Sequence, residues 1–337
     1  MTNTKRTPAP LKVVTLDALL AHPFPRREHL LEPWLRQGES VMVWAAAGLG
    51  KTMLTLTMAL AISGGGEFLG WTSPKPRRVL VVDGEMHAED LRDRLAMLMP
   101  TVAGLDAEAA GRNLSLMPRQ FQGPSVRFPD LADPAGQDEV MAQVMRHKAE
   151  LVILDNFATL AEVQDENDAS AMAPVLTFLL RLKQANVACI LVHHSGKTGA
   201  DYRGSSKLAT TFEVILGLKP HEDAVVGTGA TFVTAWTKFR GAPDARVRDA
   251  LVKLEQTDAG TPAWTTAPAE SDAMRTLLEA IRSGRYGVQK DIAAALGISE
   301  GQVTRLKNRA IREGRITKDE WDEQLAGAYA DSPAAAF

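Results

Sequence analysis

Residues 39–52, ESVMVWAAAGLGKT, decide the fold. Positions 39–46 are apolar and β-branched enough to form a strand buried on both faces. The run Ala45-Ala46-Ala47-Gly48-Leu49-Gly50-Lys51-Thr52 then turns the chain into a helix over 51–63 that is apolar all round. A glycine-rich turn between a strand and a helix start lets successive backbone N–H groups converge on an anion at the helix N-terminus. Gly48 and Gly50 permit the close approach, with Ala47 and Leu49 completing the cradle. Lys51 can reach β- and γ-phosphates as a point charge, and the Thr52 hydroxyl can sit on Mg²⁺. The strict pattern begins with glycine where this chain has Ala45, a difference of one methyl. The stretch implies a phosphate-binding loop, with ATP and Mg²⁺ as its ligands.

Working outward, short β-rich runs alternate with helical ones as far as about residue 220. Strands are expected at 78–83 (RVLVVD), 151–154 (LVIL), 188–192 (ACILV), 212–218 and 231–236, and helices at 88–98 and 169–185. Apolar strands separated by helices signal a mostly parallel sheet covered on both faces, an α/β architecture. Residues 101–137, with Pro118, Pro124, Pro129 and Pro134, read as an irregular insertion, and 255–270, with Gly260, Pro262 and Pro268, as a linker. The expected division is a lead-in over 1–38, a nucleotide core over 39–254, that linker, a helical module over 271–324 and a mobile tail over 325–337.

The buried strand 151–154 ends in Asp155, placed to hold Mg²⁺ through water if its strand neighbours the phosphate loop. An aspartate there can equally cap a turn. Asp83-Gly84-Glu85 offers further carboxylates at the same edge. Glu85 is placed to orient and deprotonate a water attacking the γ-phosphate, with Asp83 as its rival.

Bulk properties set the outer limits. With 38 Lys+Arg against 41 Asp+Glu in 337 residues, the chain is not basic all over, which leaves room only for a local nucleic-acid surface. A single cysteine, Cys189, excludes an internal disulfide framework and fits a reducing compartment. No run is long and apolar enough to span a bilayer, and the first 30 residues lack the apolar stretch of a secretion signal. The expectation is a cytoplasmic protein without a membrane partner.

These residues resemble the RecA-like P-loop ATPases, and within them the plasmid RepA-type hexameric replicative helicases. DnaB-like helicases and KaiC-like ATPases are more distant relatives. The resemblance covers residues 11–243. Its markers are Trp34-Leu35-Arg36-Gln37-Gly38, the phosphate loop, Glu85 after the second strand and Asp155 after the third. His193-His194-Ser195-Gly196-Lys197, Arg203-Gly204-Ser205-Ser206 and Lys238-Phe239-Arg240-Gly241-Ala242-Pro243 follow in order. The resemblance implies a ring-forming motor, a homo-oligomer with six subunits, acting on single-stranded DNA in the replication of a plasmid, phage or mobile element. It favours His194 as a γ-phosphate sensor, with His193 beside it; a histidine pair at a strand end can also simply be packed. It places the loop 195–202 against DNA, with Lys197 as a phosphate contact and Tyr202 as a stacking platform. It sets Arg203, Lys238 and Arg240 against the nucleotide of a neighbouring subunit, without choosing the main finger. Lys238 and Arg240 alternate with Phe239, so on an extended strand both project to one face.

The C-terminal module reads as a helix-turn-helix, or a winged version of one. Helices are expected from Ser271 to Ser283, over 289–296, and from a Ser299/Gln302 capping box to Glu313. The third helix has Val303, Leu306 and Ala310 on one face and Arg305, Lys307, Arg309 and Arg312 on the other. Residues 282–318 hold nine Lys/Arg against three Asp/Glu. That face suits a duplex DNA groove, or docking to a loader or initiator protein. Two alternatives therefore stay open beside the helicase: a DNA-binding regulator or recombination mediator whose assembly ATP controls, and a KaiC-like signalling ATPase.

Overall fold

The computed structural model describes residues 11–163, 173–196, 210–221, 229–269 and 272–330. Helix α1 (Leu16–Ala21) and the hairpin β1 (His29–Leu31) with β2 (Leu35–Arg36) form the lead-in. Then come β3 (Ser40–Ala45), α2 (Lys51–Gly64), the hairpin β4 (Gly66–Phe68) with β5 (Trp71–Ser73), β6 (Val79–Asp83) and α3 (Ala88–Leu98). Next are α4 (Ala107–Asn113), β7 (Leu114–Pro118), α5 (Pro134–His147), β8 (Leu151–Asp155), α6 (Phe157–Leu160), α7 (Ala173–Gln184) and β9 (Ala188–His194). Strands β10 (Val214–Lys219), β11 (Ala230–Phe239), β12 (Ala250–Gln256) and β13 (Pro262–Pro268) complete the sheet.

The main sheet has nine strands in the order β13-β12-β11-β10-β3-β9-β8-β6-β7. The six from β10 to β7 are parallel, and β11, β12 and β13 extend them antiparallel. Because side chains alternate along a strand, β3 feeds two cores. Val41 and Val43 pack with α2, whereas Met42 and Trp44 pack with Val140 and Val144 of α5 and Phe178 of α7. A helix that is apolar all round, such as α2, belongs under this kind of double cover.

Three expectations need correction. The stretch 101–137 is not simply irregular: it contains α4 and places β7 on β6 as an edge strand. Only half-buried and ending in Pro118, β7 is the kind of strand an edge tolerates. The stretch 255–270 is not a linker either. Residues 250–256 and 262–268 pair as an antiparallel hairpin, turned at Gly260 with φ +75°. From that hairpin Trp264 Nε1 donates to Thr57 Oγ1 of α2 at 3.1 Å. Finally, Asp155 is not on the strand beside the phosphate loop, because β9 lies between β3 and β8.

Beyond the hairpin stand α8 (Asp272–Arg282), α9 (Gln289–Leu296), α10 (Glu300–Arg312) and α11 (Lys318–Ala330). They share a core of their own, including Leu277, Ile281, Ile292, Val303, Ala310 and Trp321. The Ser299/Gln302 capping box heads α10, each side chain bonding the other's backbone. Residues 325–330, read as the start of a mobile tail, continue α11, and 331–337 lie outside the described residues.

Candidate nucleotide site

At the carboxyl edge of the sheet, β3 delivers the chain into the glycine turn. Gly48 and Gly50 hold φ +79° and +96°, in the left-handed region that glycine alone adopts without strain. At Gly50 a Cβ would also sit 2.4 Å from the Ala230 Cβ of β11, so packing and conformation demand the same residue. Lys51 begins α2 and is buried. Its ammonium donates to the carbonyls of Ala45 and Ala46 at 3.0 and 2.9 Å and lies 3.5 Å from His194 Nδ1. Burial lowers its pKa, opposed by the charges of Asp155 and Glu85.

The parallel register sets Asp83 of β6 beside Asp155 of β8. Burial, reinforced by Asp83, pushes Asp155 up to about 7, and a hydrogen bond from the Thr52 hydroxyl works against that rise. Asp83 is also raised, chiefly by burial, although its Oδ1 accepts the N–H groups of Glu85 and Met86 at 3.0 and 2.7 Å. Those bonds make Asp83 the post around which its own loop turns, which leaves Glu85 as the more available carboxylate. Gly84 completes the turn: its N–H donates to the Asp155 carbonyl at 2.8 Å, and a Cβ there would lie 2.3 Å from Thr159 Oγ1.

One cavity of about 540 Å³ unites these groups. Its lining includes Ala47, Gly48, Gly50, Lys51, Thr52, Asp83, Glu85, Asp155 and His194. Leu49 packs against the hydrophobic core under the loop. His193 is fully buried, edge-on to Phe157 at 5.1 Å, and is not part of the cavity wall, so the expectation that it touches nucleotide is corrected. The alternation of side chains along β9 sends one histidine of the pair to each face.

Among the wall residues that went unread in the sequence, two polar ones stand out. Asn156 follows Asp155 directly, is buried, and donates its amide to Glu85 Oε2 at 2.6 Å while its own Oδ1 accepts the Thr159 N–H. Arg94 enters from α3. An amide right after the strand-ending aspartate was a usable signal for the first; nothing local separates Arg94 from a surface arginine.

The donor set suits Mg²⁺. Thr52 and Asp155 offer a hydroxyl and a carboxylate already in contact, hard oxygens for an ion that completes its shell with water and phosphate. Such an ion would supply charge neutralisation between phosphate oxygens. Among the described residues there is no cluster of three His, Cys, Asp or Glu fit for a metal held by protein alone.

Lys238 and Arg240 lie elsewhere. Lys238 pairs with Ile215 in the β10–β11 register, and the Arg240 N–H donates to the Glu213 carbonyl, at the amino edge of the sheet. Strands of this length separate the two edges by roughly 15–20 Å at about 3.3 Å per residue. Neither side chain can therefore serve the cavity of its own chain. Lys197, Tyr202 and Arg203 lie outside the described residues. On α10, Arg309 pairs with Glu313 at 2.7 Å and Lys307 with Asp322 at 3.4 Å, and Lys307 also sits over the Trp321 ring. Arg305 and Arg312 are exposed.

A family model described as an AAA domain matches residues 5–200, more than half of the chain, and the chain belongs to that family. Its class is that of the P-loop ATPases with a RecA-like α/β core. Among solved structures, a KaiC-like protein from the hyperthermophilic archaeon Pyrococcus horikoshii OT3 is similar over 72% of this chain and 99% of its own, at 16% identity and a TM-score of 0.50. That likeness speaks for the fold and not for a substrate. No curated protein matches the chain. Among the described residues, no helix is long and apolar enough to cross a membrane.

Proposed function

We propose that this P-loop ATPase is a ring-forming motor, a hexamer that hydrolyses ATP between subunits and moves along single-stranded DNA, in the manner of the plasmid RepA-type replicative helicases. The observation that carries the reading is the separation of charges across one sheet. The nucleotide cavity occupies the carboxyl edge, and the Lys238/Arg240 pair stands at the amino edge of the same chain, beyond reach of its own cavity. A γ-phosphate that needs a further cation can take it from a neighbour's amino edge.

In this reading the Lys51 ammonium leaves the Ala45 and Ala46 carbonyls for phosphate oxygens. Glu85, aimed by Asn156, takes the proton of the attacking water as its oxygen bonds to the γ-phosphorus. The bond to the β–γ bridging oxygen breaks, giving ADP and inorganic phosphate. His194, within 3.5 Å of Lys51, registers the change and passes it to the loop that follows β9. The C-terminal helices, with Arg305 and Arg312 exposed on α10, contact duplex DNA or a loading partner.

Mixing tests it. Lys51→Ala subunits should bind no ATP and Arg240→Ala subunits should bind but not turn over, while a mixture of the two recovers part of the ATPase rate. Turnover should rise with single-stranded DNA more than with duplex. A strictly monomeric protein in the presence of ATP, or an ATPase indifferent to both forms of DNA, sinks the motor reading.

A further inference from the structure

Helices α9 and α10 are joined by three residues, Gly297 to Ser299, with Gly297 at φ +64° ending the first helix and the Ser299/Gln302 box opening the second. Gln289, at the head of α9, donates its amide to Thr304 Oγ1 at 2.7 Å and to the Glu300 carbonyl at 3.3 Å, which fixes the start of one helix against the start of the other. Val303 and Ala310 turn α10 into the core it shares with Ile292 and Trp321. At about 100° per residue, the face opposite those two carries Gly301, Arg305, Asn308 and Arg312, all exposed.

Two features of that stripe have no cause inside the chain. Among the described residues, Arg305, Asn308 and Arg312 enter no hydrogen bond and no ion pair, whereas Arg309 on the flank is held by Glu313 at 2.7 Å and Lys307 by Asp322 at 3.4 Å. Gly301 lies in regular helix, and a Cβ there would meet only Ser299 Oγ, at 4.0 Å. Neither conformation nor packing asks for glycine, which weakens a helix relative to alanine; bare backbone on a solvent face serves a close approach from outside.

The chemistry of the stripe selects its partner. It holds no carboxylate, since Glu300 and Glu313 fall roughly 110° to either side of its centre. It has no aromatic ring on which the bases of a single strand would stack, and no apolar anchor of the kind that centres a protein interface. It offers two guanidinium forks and an amide, donors that match guanine, adenine and phosphate oxygen in a major groove about 12 Å wide, which admits one helix.

We propose that α10 lies in the major groove of duplex DNA, with Arg305 and Asn308 on base edges, Arg312 on a phosphate, and Gly301 at the closest approach to the duplex. Contacts to base edges select sequence, so the chain docks at a chosen duplex site. This rests on the reading that the C-terminal helices meet duplex DNA, and it excludes a loading partner as the occupant of this face.

The test offers the full chain a library of duplexes with a randomised core and reads enrichment by sequencing. Fluorescence anisotropy then gives affinity for the enriched duplex and for a scrambled one. The parent should enrich one motif. Arg305→Ala and Asn308→Ala should each weaken the enriched duplex by about 5–100-fold, flatten the preference at one position, and cost the scrambled duplex far less. Arg312→Ala should weaken both alike and lower the slope of log Kd against log salt by about one. Gly301→Ala should lose about tenfold in affinity for the enriched duplex while its melting temperature stays level or rises, a pairing that a purely structural glycine would not give. A Gly301→Ala chain that binds as tightly as the parent, or melts below it, overturns the close approach. If the parent binds no duplex at all, the reading of the module as DNA-facing fails. If it binds without enrichment, or enriches a motif that Arg305→Ala and Asn308→Ala leave intact, only the base reading by α10 fails.

Discussion

The two edges of the central sheet are both rich in charge, and they treat it in opposite ways. At the amino edge, charges are matched. Arg77, buried ahead of β6, donates to Glu150 at 2.6 Å and to Glu28, and Glu28 also takes Lys75 at 2.8 Å. Glu213 accepts Lys183 at 2.7 Å and the Ser40 N–H at 2.9 Å, with Arg240 at 3.8 Å. At the carboxyl edge, Asp83 and Asp155 stand side by side with raised pKa values, Lys51 settles for carbonyl oxygens, and Arg94 has no ion pair among the described residues. Matched charges fasten the start of the strands; mismatched ones leave a site that only a charged ligand can balance. The crevice outside the carboxyl ends of the strands is also where open α/β sheets bind their ligands.

The largest effect should come from the mismatched edge. Glu85→Gln keeps size and the Asn156 contact but removes the base, so ATP should still bind while turnover falls by about 10²–10⁴. A near-parental rate in steady-state assay would pass the role to another group. The matched edge should answer in stability instead. Arg77→Ala takes the guanidinium from Glu150 and Glu28, and because both are partly exposed and Glu28 keeps Lys75, the cost should be about 1–3 kcal/mol in urea unfolding, with activity per folded molecule intact. A loss of activity without a loss of stability there would erase the distinction between the edges.

A smaller effect should separate positioning from chemistry. Asn156→Ala frees the Glu85 carboxylate, and kcat should drop roughly tenfold with ATP affinity unchanged; parallel loss of both would make Asn156 a structural residue only. The smallest is a pH signature. Asp155 holds its proton up to about 7 in the native state and releases it from about 4 when unfolded. The folded protein therefore binds the extra proton across that window, and this residue's contribution to stability declines as pH rises through it. The melting temperature of Asp155→Asn minus that of the parent should grow by a few degrees between pH 5.5 and 8. A difference that stays flat would mean that Asp155 titrates normally.

What could be read from the residues was what local order encodes. A run such as 39–52 carries its strand, its turn and its helix start within one window, and Asp155 and Glu85 stand out because the first ends a continuous apolar run and the second follows one within two residues of its end. The edge strand β7 and the hairpin β12–β13 did not stand out. They are buried on one side at most, and prolines that mark loops elsewhere here mark strand ends. The position of β9 between β3 and β8 is a long-range choice with no local trace. His193 and His194 look equivalent as letters, and only the pleat of β9 tells them apart. Arg94 and Arg92 likewise differ by rotation about a helix, which sends one to a cavity and the other to solvent.

The indole bridge from β13 to α2 bears on where this protein can be divided. A truncation at residue 254, where composition would place the boundary, cuts away Trp264 and with it the far strand that braces Thr57, two turns into the helix that starts at Lys51. The same excision made after Pro268 leaves the brace whole. A fragment trimmed too short would therefore fail as a nucleotide binder for reasons of scaffolding, and its silence would be mistaken for chemistry.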